Sequence, residues 1–443
     1  MNKSGALSQD EKIELDEYLK FLRFKSISAK HSFIRESAEY LKNLLDRIGA
    51  ESSVMETEGH PVVYGSLDLG KKRTLLVYNH YDVQPVDPLE EWHHDPFSAE
   101  ISGGRIYARG SSDNKGTLMA RYFGIKKALK TEDINVNIKF LYEGEEEIGS
   151  PSLERFVEDN RDLLRSDAVI MEGSTVADEG RPIISLGVKG LLYVEIEDTI
   201  AESDMHSSYA AIVPNPAWNI ILPLSRIYDG NYVRIPGFNE SVKELSEAEE
   251  SILANYPFDP ASFSRPFGLK YLKYQERQDL VKSLFAKPTM NIDGFISGYV
   301  QEGSKTITPR KAIAKIDFRL VPDQDPHTIF KGLENELRSN GFSGKITPLG
   351  MEYPVRTSPG SGLAKAMIAS AKEVYGMEPL IMINSPGTQP MAIFTRNLGI
   401  KEAVSAIGVG DPMSRAHAPD ESVDMGNYFL AIDHTRKFLK EFK

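Results

Sequence analysis

Apolar side chains recur at helical spacing along SQDEKIELDEYLKFLRF, residues 8–24, and Ser8 followed three positions later by Glu11 forms a capping box ahead of them. The spacing predicts a helix there. It predicts a second over about 32–48, ended by Gly49, with SSVMET and PVVYGSL following as strands. Strand and helix then alternate. RTLLVYN is an apolar strand run, KGTLMARYFGIKKAL is a helix with Leu118, Tyr122, Ile125 and Leu129 on one face, and NVNIKFLYEG returns as a strand. A further helix, SLERFVEDNRDLL, leads to the strand DAVIME. Such alternation predicts an α/β fold with a mostly parallel sheet flanked by helices on both faces.

Past residue 189 the period changes. GLLYVEIEDTI and TITPRKAIAKIDFRLVP alternate apolar and polar positions, as half-exposed antiparallel strands do, with helical and irregular material between them. After residue 352 the α/β alternation resumes with GLAKAMIASAKEVYG, PLIMINS and EAVSAIGVG. A chain of 443 residues exceeds one hydrophobic core. The pattern therefore predicts a first domain built from 1–189 and 353–443, and an inserted α+β domain at 190–352.

Composition narrows the chemistry. With no cysteine, disulfides, thiolate metal sites and a Cys nucleophile are excluded, so any metal must use His and carboxylates. Lys and Arg number 52 against 64 Asp and Glu, a net charge of −12 without a basic tract, which argues against nucleic acid or an anionic membrane as partner. The first residues carry no apolar export segment, and no later run approaches the roughly 18 apolar residues of a membrane span. The expectation is a cytoplasmic protein.

The segment LLVYNHYDVQP places His80 and Asp82 two apart at the carboxyl end of an apolar strand, so their side chains share a face. In open α/β sheets ligands bind in the crevice at the carboxyl ends of the strands. Other metal-type residues occupy equivalent places. Asp113 lies in ARGSSDNKG before a helix, Glu145, Glu146 and Glu147 follow NIKFLYEG, Glu172 follows AVIM, and His417 follows AVSAIGVG. Taken singly, each has an ordinary explanation: a hydrogen-bonded His-x-Asp pair, a solvated acidic turn, a helix cap. Converging on one crevice, they would repel one another and lose hydration, which favours protonation or bound cations. Two divalent ions would satisfy them.

The segments NHYDVQP, RIYARGSSDNKG, EGEEEIGS, DMHSS, TITPRKAIAKIDFRLVP and RAHAPDE, in this order and spacing, resemble the M20 metallopeptidases. That family includes carnosinase-type cytosolic dipeptidases, glutamate carboxypeptidases and N-acyl amino acid deacylases, and the resemblance runs nearly end to end, closest in pattern to the carnosinase type. It implies a zinc-exopeptidase-like catalytic domain interrupted by a lid domain that carries a homodimer interface. It also implies two metal ions, one held by His80 and Glu172, the other by His417 and Glu147, with Asp113 bridging both. Zinc suits such an N/O set, and manganese or cobalt could replace it. Glu146 aligns with the general base that activates water against the amide carbonyl. Asp82 becomes the carboxylate that holds the His80 ring in its ligating orientation.

For the inserted domain, the resemblance makes His206 the lid histidine that stabilises the oxyanion in a neighbouring subunit, although Ser208 stands where glycine is common. Arg319 becomes the grip on a substrate carboxylate, and Gly387 and Thr388 a substrate-contacting loop; a strand-edge salt bridge and a plain turn are the ordinary alternatives. His93 and His94 match no ligand of the family and read as a loop feature. The expected activity is hydrolysis of dipeptides, or release of a C-terminal residue from short peptides, with N-acyl amino acid deacylation as the alternative and a non-catalytic metal or peptide binder as a remoter one. Glu172 departs from the Asp that the family's dipeptidases tend to carry and leans towards carboxypeptidases and deacylases.

Overall fold

The capping box at Ser8 is formed in the computed structural model, which describes residues 7–131 and 133–443: Ser8 Oγ accepts the Glu11 N–H at 3.2 Å and Glu11 Oε2 accepts the Ser8 N–H at 2.9 Å. It starts the helix Gln9–Leu22, and Ile34–Arg47 follows as the second helix. The chain divides into two units. The first runs to Gly187 and resumes over Thr357–Ile383 and Ile393–Lys443. Its sheet has eight strands in the spatial order Glu51–Met55, Val62–Leu67, Asn137–Glu143, Thr74–His80, Ala168–Met171, Glu402–Ser405, Ile183–Ser185 and Leu380–Met382. The four central strands, Asn137–Glu143 through Glu402–Ser405, are mutually parallel, so their carboxyl ends lie along one rim. Thr74–His80 is buried at every position after its first, as expected of a parallel strand covered on both faces.

Helices Lys115–Thr131 and Met425–Glu441 pack against each other, and Gly124 permits it. A Cβ there would lie 2.4 Å from Thr435 Cβ and 2.7 Å from the Ile432 carbonyl. One predicted helix is broken. SLERFVEDNRDLL forms Leu153–Asp159 and Arg161–Leu164, interrupted at Asn160, whose side-chain amide donates to the Phe156 carbonyl that its own N–H also uses.

The second unit comprises Val188–Arg356 with Asn384–Ala392, a segment that periodicity alone groups with the first. Backbone pairing explains its place: the Lys189 N–H donates to the carbonyls of Ser385 and Gly387, and Asn384 Nδ2 donates to those of Val188 and Val355. The sheet here is antiparallel, ordered Thr289–Ser297, Lys311–Leu320, Gly190–Thr199, Lys345–Glu352. Its apolar face, with Leu192, Val194, Ile196, Ile316 and Phe318, forms a core with Ile220 and Leu224 of helix Pro216–Ile227 and Ile329 and Leu333 of helix Pro326–Ser339. Among the described residues no helix is long and apolar enough to cross a membrane.

Candidate metal centre

Four parallel strands deliver most of the candidate ligands to one rim. His80 is the last residue of its strand, and the neighbouring strand ends at Glu143 and turns through Glu145 into the short helical turn Glu146–Ile148. Glu172 follows Met171 directly, and His417 lies in the loop after Glu402–Ser405 in the left-handed region, φ 62°. Asp113 sits just before helix Lys115–Thr131. His80 Nε2 lies 3.1 Å from Asp113 Oδ1, 3.3 Å from Glu172 Oε2 and 3.9 Å from Glu146 Oε2. His417 Nε2 lies 3.1 Å from both Asp113 Oδ2 and Glu147 Oε2. Asp113 thus presents one oxygen to each histidine.

One imidazole nitrogen cannot hydrogen-bond three carboxylates at once, and Glu172 Oε2 and Glu147 Oε1 are buried with no hydrogen-bond partner. The ligand atoms of His80, Asp113 and Glu172, and those of Asp113, Glu147 and His417, each lie within 4.8 Å of one another. Unpartnered carboxylate oxygens converging with imidazole nitrogens are what a pair of divalent cations needs, so the donor set fits. His80, Glu146 and Glu147 form a third such group.

The crowding shows in the acid–base balance. Burial opposes a charge on His80, but Glu146, Asp113 and Asp82 around it raise its pKa well above the usual histidine value. Hydrogen bonds to the Asp113 and Glu147 carboxylates raise that of His417 to about 10. Burial works to raise the pKa of Asp113, yet the two histidines hold it below the ordinary carboxylate range. Burial, with Asp113, Glu147 and Asp82 nearby, lifts Glu146 to about 7 even though His80 opposes the rise. His417, raised to about 10, carries its proton at pH 8 in metal-free protein and must lose it to ligate, and the raised pKa values of His80 and Glu172 act in the same direction. Metal uptake at pH 8 is therefore expected to release about one proton or more per chain. Calorimetry in buffers of different ionisation enthalpy measures this, and heats independent of buffer would contradict it.

The model of peptidase family M20/M25/M40 matches residues 76–441. The chain belongs to this family. Among solved structures, this M20 peptidase is similar to the M20 family metallo-carboxypeptidase Sso-CP2 from Sulfolobus solfataricus, with TM-score 0.91 and 50% identity over 98% of this chain and 99% of that one. Among curated relatives it is 27% identical to the human Beta-Ala-His dipeptidase, covering 84% of this chain and 74% of the relative. It is 25% identical to the Cys-Gly metallodipeptidase dug1 of Schizosaccharomyces pombe, covering 90% and 88%. The chain is thus an M20 metallopeptidase, with the mixed α/β fold and mostly parallel central sheet of that family.

Around the cluster, this M20 peptidase uses residues that no spacing pattern singles out. Glu421 is fully buried and binds Arg109 Nη1 at 2.8 Å, and its carboxylate accepts the N–H groups of Gly110, Ser112 and Asp113. It therefore fixes the backbone that carries Asp113. Glu421 ends the RAHAPDE segment, but its partner is more than three hundred positions earlier and only folding shows the pair. Removing one side of a buried pair leaves the other charge unmatched, so Glu421→Ala is expected to cost about 3–5 kcal/mol of stability; urea unfolding of metal-free protein measures it. Gln84 donates to Glu147 Oε2 at 2.9 Å and to the Glu147 carbonyl at 3.1 Å.

Asp82 does more than face His80. Its carboxylate accepts the N–H groups of Glu146 and Glu147 at 3.3 and 3.1 Å, with Oδ1 3.4 Å from His80 Nδ1, while its backbone carbonyl lies nearer that nitrogen, at 3.2 Å. Glu145 points away and accepts the His60 N–H. His93 pairs with Asp420, and His94 pairs with Glu100 and stacks on Tyr107. In the second unit, Arg319 Nε is held by Asp317 at 3.1 Å and its Nη1 donates to Thr388 Oγ1 at 2.8 Å. Gly387 donates its N–H to Ser385 Oγ. His206 is exposed on the two-residue strand Met205–His206, and its Nδ1 accepts the Ser208 N–H.

Proposed function

We propose that this M20 peptidase is a dinuclear metal exopeptidase that cleaves the last peptide bond of short peptides, dipeptides included, and releases the C-terminal residue. The observation that carries this reading is Asp113, which offers one oxygen to the His80–Glu172 group and the other to the His417–Glu147 group. Two divalent ions held there, zinc first and manganese or cobalt in its place, would lower the pKa of a water molecule and polarise the scissile carbonyl. Glu146 takes the proton from the attacking water and delivers it to the leaving amide nitrogen. Burial and the neighbouring carboxylates lift this carboxyl to about 7 in the metal-free chain, and cations beside it would lower it again, so that it stands ionised to take the proton. Asp82 fixes Glu146 through its backbone N–H. Arg319, oriented by Asp317 and Thr388, grips the free carboxylate of the substrate, with Gly387 and Thr388 lining that contact. His206 stabilises the developing oxyanion across a homodimer.

Two features of the second unit support the dimer. The edge strand Thr289–Ser297 exposes Ile292, Phe295 and Ile296, and helix Pro216–Ile227 exposes Trp218, Ile221 and Leu222. Release from the C-terminal end is favoured by Glu172 and by the carboxypeptidase at 50% identity. The dipeptidase relatives at 25% and 27% identity favour a second reading, a strict dipeptidase.

The test is a panel presented to protein reloaded in turn with zinc, manganese and cobalt: free dipeptides, N-blocked dipeptides, C-terminal amides and N-acyl amino acids. Cleavage of free and N-blocked peptides with silence on the amides is expected. Turnover of free dipeptides alone would establish the strict dipeptidase, preference for N-acyl amino acids a deacylase, and silence with every metal would leave a binding protein.

A further inference from the structure

Helix Lys115–Thr131 begins two residues after Asp113, and two turns into it the chain buries a guanidinium. Arg121 is 1% exposed. Its Nη1 donates to the Tyr78 carbonyl at 3.0 Å and to Asn79 Oδ1 at 3.1 Å; its Nη2 donates to the carbonyls of Met171 at 2.5 Å and Ala406 at 2.6 Å. Three parallel strands thus deliver a backbone carbonyl each, Tyr78 from the last three residues of its strand, Met171 from the end of its own and Ala406 from just beyond, to one planar group. Asn79 relays the contact, because its Nδ2 donates to Asn114 Oδ1.

Burying a guanidinium without a carboxylate directly across from it is costly, and an apolar side chain would fill the same space on this buried helix face at lower cost. The arrangement has a different logic at the rim. Parallel strands splay where they open a crevice, and carbonyls there lose their sheet partners. A rigid five-donor fork both satisfies those carbonyls and fixes the spacing between the strands. Met171 is bonded to Glu172, Asn79 to His80 and Asn114 to Asp113. Arg121 is therefore a single residue removed from His80 and Glu172 and reaches Asp113 through Asn79 and Asn114, and its hydrogen bonds go to no sequence neighbour of Glu147 or His417.

We propose that Arg121 is a positioning residue that sets the geometry of the His80–Asp113–Glu172 metal group selectively, leaving the Glu147–His417 side to other supports. This rests on the two-metal reading above. It acts through backbone carbonyls and through Asn79, not by touching metal or substrate.

The experiment measures zinc binding against a competing chelator in two backgrounds. His417→Ala leaves the His80–Asp113–Glu172 group as the complete one, and Glu172→Ala leaves the Asp113–Glu147–His417 group. Adding Arg121→Lys is expected to weaken zinc about 10–100-fold in the first background, the usual effect of losing a residue that orients a ligand, and less than about 3-fold in the second. In the otherwise unaltered chain, bound zinc after dialysis should fall from two per subunit towards one. Asn79→Ala, which keeps the guanidinium and cuts the relay beside His80 and the shared Asp113, should weaken the first background more than the second; it decides the matter if Arg121→Lys does not fold. Equal weakening in both backgrounds, or none from either substitution, would overturn the proposal. A parent protein that takes up no zinc would instead overturn the metal reading beneath it.

Discussion

Glu146→Gln is expected to lower kcat by about 10²–10⁴-fold or more while two metal ions stay bound. The substitution keeps shape and removes only the capacity to carry a proton. Glu146 Oε2 stands 3.9 Å from His80 Nε2, farther than Asp113 and Glu172 at 3.1 and 3.3 Å, so it borders the cluster without closing on it. Its backbone N–H donates to Asp82, which keeps the turn in place whatever the side chain. KM should change little, because the proton transfer belongs to the transition state and not to substrate binding. Metal content by mass spectrometry is the decisive companion measurement. His80, Glu146 and Glu147 also form a possible ligand group, and if zinc is lost together with activity, Glu146 is a ligand and the base lies elsewhere.

The sequence reveals the rim of this site because parallel strands announce themselves as apolar runs, and the residues just past each run lie at the carboxyl end of the sheet. His80, Glu172 and the 145–147 turn are legible for that reason. Individual side-chain directions are not: of three consecutive glutamates, Glu145 turns away to the His60 N–H while Glu146 and Glu147 face the cluster. The supports are less visible still. Arg109 meets Glu421, and Arg121 meets Met171 and Ala406, across separations that carry no period. Asn384–Ala392 joins the second unit through hydrogen bonds to Lys189, Val188 and Val355, which strand and helix alternation does not encode. At Asn160 the side-chain amide and the backbone N–H share the Phe156 carbonyl, a local feature smaller than the helical pattern around it.

Asp113→Ala is expected to abolish turnover and to weaken metal at both positions, where His417→Ala should weaken one. Asp113 is placed between the two histidines, its oxygens 3.1 Å from each Nε2, so its loss removes a ligand from both groups at once. It would also remove a negative charge that offsets two bound cations, leaving that task to Glu147, Glu172 and the more distant carboxylates. Metal-free protein should suffer as well. The folded-state pKa of Asp113 is held below its ordinary value, so its charge contributes stability that is fully present above that ordinary value and is lost only as pH falls through the depressed one. At pH 7 the contribution is intact, and the alanine variant should melt lower than the parent before any metal is added. Adding zinc then separates the two effects. A ligand that binds only the folded chain raises Tm by mass action, so the parent should gain several degrees and the variant almost nothing. If the variant gained as much as the parent, Asp113 would not bridge, and the two histidines would belong to sites that fill independently.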